Sequence, residues 1–141
     1  MIRKASAVWE GGLKNGKGVV STESGVLAKT PYSFSTRFEA VKGTNPEELI
    51  AAAHAACFSM ALSAELGKAN IEPQSLSTSA DLTLEKLDSG WTVTQINLNL
   101  EAKVPGVDPA AFEKAAQGAK ENCPISKLLK AAKITLQTRL V

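Results

Sequence analysis

The apolar positions of this chain change period several times along its length, and each change marks an element. Over residues 2–9, Ala5, Ala7 and Trp9 alternate with Lys4 and Ser6, the two-residue period of a strand. Gly11-Gly12 and Asn15-Gly16 then signal turns, and Val19 to Thr22 reads as a second strand. Pro31-Tyr32 opens a third, with Tyr32, Phe34, Thr36 and Phe38 on one face and Ser33, Ser35 and Arg37 on the other.

The period lengthens at Asn45-Pro46-Glu47-Glu48. Asn45 suits a helix cap, Pro46 the first helical position, and the two glutamates the positive end of the dipole. The spacing of Asn45 and Glu48 is that of a capping box, and the helix is expected to reach about Lys68. Leu49, Ala53, Cys57, Met60 and Ala64 share one side of it, while Ala51, Ala55, Phe58 and Leu62 cover the other. A helix apolar nearly all round is expected to be buried. It is about 30 to 35 Å long. That is long for one small domain, so an interface with a second chain could help to cover it.

Strands are expected again at Ser77 to Leu87 and Trp91 to Val104, joined at Asp88-Ser89-Gly90. The second changes phase, from Trp91 and Val93 at odd positions to Ile96, Leu98, Leu100, Ala102 and Val104 at even ones, so a bulge is expected near Thr94-Gln95. Asp108-Pro109 starts a helix to about Glu121, and Cys123-Pro124 a shorter one to about Ala131. Ile134 to Leu140 is the last strand. Runs of one element type, rather than strict alternation, argue an α+β fold. The 141 residues show no repeat or linker and read as a single domain, 1–141.

Charge excludes one class of partner. The 16 Lys and Arg residues stand against 14 Asp and Glu without clustering, so no nucleic-acid footprint is present. The opening MIRKASAVWEGG has no signal-peptide core. The apolar run from Leu49 to Leu62 is broken by His54 and Ser59 and falls short of the ~20 residues that span a bilayer. The expected location is the cytoplasm, with no membrane partner. Two cysteines in that reducing compartment are expected to be free or redox-active rather than a structural staple.

The candidate chemistry lies with those cysteines. Cys57 stands three residues after His54, the only histidine. Read from its helix alone, Cys57 is a small buried hydrophobe. Two ligands are too few for a closed zinc site, so no metal is expected, and nothing marks a third group for a papain-like pair. His54 reads as a core or interface histidine with its ring hydrogen-bonded. Cys123 sits where an N-cap belongs, and a helix N-terminus stabilises a thiolate; by position it is the more acidic thiol, or else a mere boundary residue. Cys57 would need a cation, for which Arg37 is a candidate when it is not simply a solvated arginine at a strand end. Two thiols that meet in space can act in turn, one attacking a peroxide and the other resolving the sulfenic acid as a disulfide.

Several segments together resemble the osmotically inducible protein C (OsmC) family. They are Ala7-Val8-Trp9-Glu10-Gly11, Gly16-Lys17-Gly18, Ser21 to Leu27, Arg37-Phe38-Glu39, Gly43 to Ile50, Ala52 to Leu62 and Cys123-Pro124-Ile125-Ser126. The resemblance covers essentially the whole chain, and its N-terminal part is closer to the OsmC branch than to the organic hydroperoxide resistance (Ohr) branch. It implies antiparallel sheets around a long buried central helix in an intertwined homodimer with two sites at the interface. It also implies a thiol-dependent peroxidase that reduces organic hydroperoxides to alcohols, without a cofactor, and is recycled by an external dithiol. On that pattern Cys57 is the peroxidatic cysteine and Cys123 the resolving one. Arg37 activates thiolate and peroxide, and Glu47 orients Arg37.

The resemblance thus reverses the ranking of the two thiols. Glu47 and Cys57 lie ten residues apart on one helix, about 15 Å along its axis, beyond a glutamate's reach. Arg37 and Glu47 of one chain are therefore expected to serve Cys57 and Cys123 of the other. Ile50, Phe58 and Met60 could form an apolar pocket wall, or Phe58 and Met60 could simply pack in the core. The rival readings are a non-catalytic dimeric binding module, a redox sensor and, more distantly, a cysteine hydrolase.

Overall fold

The computed structural model describes residues 1–141, which form a mixed α+β fold with two three-stranded sheets. The chain divides into two compact units, residues 1–49 and 50–141. The first holds β1 (Ala5–Glu10), β2 (Lys17–Thr22), β3 (Thr30–Tyr32) and the short helix α1 (Phe34–Phe38). Helix α2 (Pro46–Lys68) begins in the first unit and runs on into the second. There follow β4 (Ser75–Leu87), β5 (Gly90–Lys103), α3 (Pro109–Asn122), α4 (Pro124–Leu128) and β6 (Lys133–Leu140).

In the first unit β1, β2 and β3 make an antiparallel meander that places Trp9, Gly18 and Tyr32 in one cross-strand row. The Trp9 and Tyr32 rings lie 5.5 Å apart between centroids, and a Cβ added at Gly18 would overlap both. Glycine is what lets the two rings close over the middle strand.

The third strand stops sooner than its alternation suggests. Strand β3 ends at Tyr32, and residues 34–38 are helical. The Ser33 hydroxyl accepts from the Thr36 N–H at 3.2 Å, and the Thr36 hydroxyl accepts from the Ser33 N–H at 2.9 Å, a complete capping box with threonine at its far end. Phe34 and Phe38, which two-residue alternation puts on one strand face, are also neighbours one helical turn apart; their centroids are 5.0 Å from each other. The caps decide between the two periods, and Arg37 consequently sits on α1.

Helix α2 starts as its sequence dictates, with Asn45 Oδ1 accepting from the Glu48 N–H at 2.8 Å. It is not buried all round. His54, Phe58, Leu62 and Leu66 form its buried stripe, whereas Ala53, Ala56, Met60 and Ala64 are exposed, Met60 to 76%. One chain supplies apolar partners for one side of the helix only. By length and composition the 23-residue α2 could also cross a bilayer, so the shorter run first counted understates it; a core helix meets the same criterion.

In the second unit β4 and β5 form an antiparallel hairpin. Thr83 pairs with Gln95 and Leu84 with Val93, leaving Thr94 as the extra residue of a bulge. Beyond it the even residues of β5 turn inward. Leu98, Leu100, Ala102 and Val104 pack with Phe58, Leu62 and Leu66 of α2 and Phe112, Ala116 and Ala119 of α3. Strand β6 runs parallel to β5, so this sheet is mixed rather than wholly antiparallel. Two helices intervene between β5 and β6, the kind of crossover that parallel neighbours need. Asp108 caps the first of them, accepting from the Ala111 N–H at 2.9 Å, and the second ends at Leu128, before Ala131.

Candidate active site

Cys57 lies on the fourth turn of α2, and Cys123 joins the end of α3 to the start of α4. Their sulfurs stand 3.0 Å apart, and both cysteines are free. Cys123 is fully buried and Cys57 partly exposed. An oxidant entering from solvent therefore meets Cys57 first.

The two thiols have different environments. Burial pushes the Cys57 thiol up, contact with Cys123 adds to that, and the Ile125 N–H pulls the other way. Burial also acts upward on Cys123, but it is outweighed by the contact with Cys57 and by the influence of the Ser126 N–H, the Ser126 hydroxyl and the Ile125 N–H. The net shift of Cys123 is downward. Cys123 is thus the more acidic thiol of the pair, the order that its position at a helix start suggests. None of the groups acting on Cys57 is a cation.

Behind Cys123 stands a second buried pair. His54 Nε2 and Ser126 Oγ are 2.8 Å apart, with His54 wholly buried and Ser126 nearly so. His54 Nδ1 is buried and has no partner. Burial holds the imidazole below its ordinary value and keeps it neutral near pH 7. No group of three or more His, Cys, Asp and Glu side chains is placed to hold a metal ion.

In the first unit Arg37 of α1 meets Glu47 in the first turn of α2. Arg37 Nε donates to both carboxylate oxygens at 3.1 Å, and Nη2 donates to Oε1 at 2.7 Å. The Thr36 hydroxyl donates to the Thr44 carbonyl at 2.9 Å and so ties α1 to the segment that leads into α2. The guanidinium also lies 5.0 Å from the Phe38 ring centre. Arg37 borders a cleft of about 280 Å³ whose other walls are Trp9, Leu13, Tyr32, Ser33, Phe34, Phe38 and Pro46. An aromatic cleft with one fixed cation suits an apolar molecule that carries a polar end.

The structure thus gathers the sequence-derived candidates into two pairs, Cys57 with Cys123 and Arg37 with Glu47. Phe58 is not a pocket wall: it is fully buried in the core. Met60 is not core in this chain. The residues that sequence reasoning missed are Ser126, which touches His54 and makes the Cys123 thiol more acidic, and the aromatic cleft beside Arg37. Ser126 carried one signal, its place three residues after a cysteine at a helix start.

Known proteins match this chain in sequence and in fold. The family model described as OsmC-like protein matches residues 39–139. The chain belongs to the OsmC-like protein family. This OsmC-like chain is 57% identical over 138 residues to "Peroxiredoxin OsmC" of Escherichia coli, covering 98% of itself and 96% of that protein. It is 32% identical over 111 residues to "Organic hydroperoxide resistance protein OhrB" of Bacillus subtilis, covering 78% of itself and 79% of that protein. The crystal structure of Bacillus subtilis OhrB superposes with a TM-score of 0.71 at 26% identity, covering 96% of this chain and 98% of that one. An OsmC like protein from Mycoplasma pneumoniae shares the fold, with a TM-score of 0.79 at 16% identity over 100% of this OsmC-like chain and 98% of its own.

Proposed function

We propose that this chain is a soluble, cytoplasmic, cysteine-based peroxidase that reduces organic hydroperoxides to alcohols, with residues 1–141 acting as one functional domain. The peroxidase class is supported by the relatives named peroxiredoxin and organic hydroperoxide resistance protein. The observation that carries the mechanism is the 3.0 Å approach of the Cys57 and Cys123 sulfurs. Such a pair can close a disulfide with little backbone movement.

The Cys57 thiolate attacks the terminal peroxide oxygen. An S–O bond forms, the O–O bond breaks, and the alkoxide takes a proton and leaves as the alcohol. Cys57 is then a sulfenic acid. The Cys123 thiolate attacks its sulfur; the S–S bond forms, the S–O bond breaks, and hydroxide leaves as water after taking a proton. An external dithiol reduces the disulfide and restores both thiols. Two cysteines suffice, so no cofactor or metal enters the scheme.

Cys57 needs a cation to act first, because its own surroundings raise its pKa. Arg37, held by Glu47 in a two-pronged ion pair, supplies that cation in this reading and polarises the peroxide. Ten residues of helix separate Glu47 from Cys57, about 15 Å of rise. Arg37 and Glu47 of one chain therefore serve Cys57 and Cys123 of the other in an intertwined homodimer. The exposed Ala53, Ala56, Met60 and Ala64 on α2 support a partner, since small residues let another backbone come close.

Counting free thiols after one equivalent of cumene hydroperoxide, with hydrogen peroxide alongside, tests the function. The expected result is rapid loss of two thiols per chain, faster with the organic peroxide. Survival of both thiols would overturn the reading and leave a binding module.

A further inference from the structure

Disulfide closure needs more than proximity. Cys123 must present its lone pair to Cys57, and something must hold the charge on a fully buried sulfur while it does so. The structure places two buried groups, Ser126 and His54, behind that sulfur. Ser126, three residues on from Cys123 in the first turn of α4, makes the Cys123 thiol more acidic through its N–H and its hydroxyl, and 2.8 Å from Ser126 Oγ lies His54 Nε2. His54 belongs to α2 and Ser126 to α4, 72 residues apart, so this line also clamps the two elements that carry the two cysteines.

The proton positions along the line follow from burial. His54 Nδ1 is buried without a partner. A bare ring lone pair there is better tolerated than an N–H with no acceptor, which puts the ring proton on Nε2. Nε2–H then donates to Ser126 Oγ, and the Ser126 O–H is left to donate onward. The Cys123 sulfur, whose acidity that hydroxyl increases, is the acceptor assigned to it. A neutral histidine serves for this, and burial keeps His54 neutral.

We propose that His54 is a positioning residue that holds the Ser126 hydroxyl as a donor to the Cys123 sulfur while Cys123 attacks the Cys57 sulfenic acid. The proposal rests on the peroxidase reading for its reaction and goes beyond it in assigning Ser126 and His54. The S–S bond forms between Cys123 and Cys57, the sulfenic S–O bond breaks, and hydroxide leaves as water after protonation by solvent. His54 and Ser126 gain and lose no proton overall. The titratable groups bearing on the Cys123 sulfur are Cys57 directly and His54 through Ser126.

Two measurements test this. In the first, reduced protein is mixed with cumene hydroperoxide, quenched at intervals, and its Cys57 sulfenic acid and disulfide are counted by mass. The first phase depends on peroxide concentration and reads Cys57; the second does not and reads closure. Ser126→Ala is expected to slow closure about tenfold or more, the effect of one hydrogen bond to a charged group, and to divert Cys57 toward sulfinic acid. His54→Leu should slow closure as well, and the double variant should be no slower than Ser126→Ala alone, because both act through one contact. In the second, the thiolate absorbance of Cys57→Ser protein reports Cys123 alone. Adding Ser126→Ala or His54→Leu should raise its titration midpoint by about half a pH unit or more. Closure and titration both unmoved in Ser126→Ala would overturn the proposal, as would independent, multiplying effects of the two substitutions. If the parent protein forms neither sulfenic acid nor disulfide, the peroxidase reading is what fails, and the titration still decides whether Ser126 and His54 act on Cys123.

Discussion

The Cys57 sulfur sits 3.0 Å from the Cys123 sulfur although the two residues are 66 positions apart in the chain. Helix α2 brings one thiol and the α3–α4 junction the other. The more accessible of the two is the less acidic by its surroundings, and that inequality shapes what each substitution should do.

Cys57→Ser is expected to abolish turnover. Cys123→Ser should allow one oxidation per chain and then stall or over-oxidise at Cys57. Steady-state peroxide consumption with a dithiol reductant, followed by intact-mass measurement, checks both. Two variants as active as the parent would remove the two-cysteine scheme.

Arg37→Ala should slow the first oxidation and move the pH–rate profile of that step to higher pH, since the thiolate loses its cation. Co-refolding it with Cys57→Ser protein checks where the arginine acts. If the pairs act across the dimer, mixed dimers hold one complete site, and about a quarter of all sites become active. No recovery in the mixture would place Arg37 and Cys57 in the same chain.

Gly18→Ala should destabilise the first sheet by about 1–3 kcal/mol, because its methyl would overlap the Trp9 and Tyr32 rings. Urea unfolding against the parent measures this. Gly12, with nothing near its missing Cβ, is the control and should tolerate alanine with little change.

His54 gives the fold a pH dependence of known sign. Burial lowers its folded-state pKa from 6.5, so the unfolded chain binds more protons as the pH falls through 6.5 and below. Stability from this residue is therefore full above that pH and declines on acidification until the lowered folded value is passed. Urea midpoints from pH 8 to 5 should fall more steeply for the parent than for His54→Leu; parallel curves would show that His54 does not titrate on unfolding.

Much of this was legible in the chain because the signals were local. Asn45-Pro46-Glu47-Glu48 marks the start of α2 through groups within one turn, and the phase change around Thr94 announces its bulge. Residues 34–38 misled because Phe34 and Phe38 satisfy both a strand and a helix period, and the Ser33–Thr36 cap settles the choice. The parallel pairing of β6 and the contact of His54 with Ser126 join parts distant in sequence, and no periodicity reports them. Helix α2 is buried on one side only, because apolar composition says that a face wants covering and not which chain covers it.

The sequence separation of the two cysteines has a further effect on the working cycle. A bond between Cys57 and Cys123 closes a loop holding β4, β5 and all of α3, the greater part of the second sheet. Tying a denatured chain over such a span removes enough of its freedom to favour the folded state by about 4 kcal/mol. Each turnover would then alternate the molecule between an open chain and one with a large covalent loop laced through its middle. The oxidised form should melt well above the reduced one, and the reductant would meet its substrate in the more robust of the two.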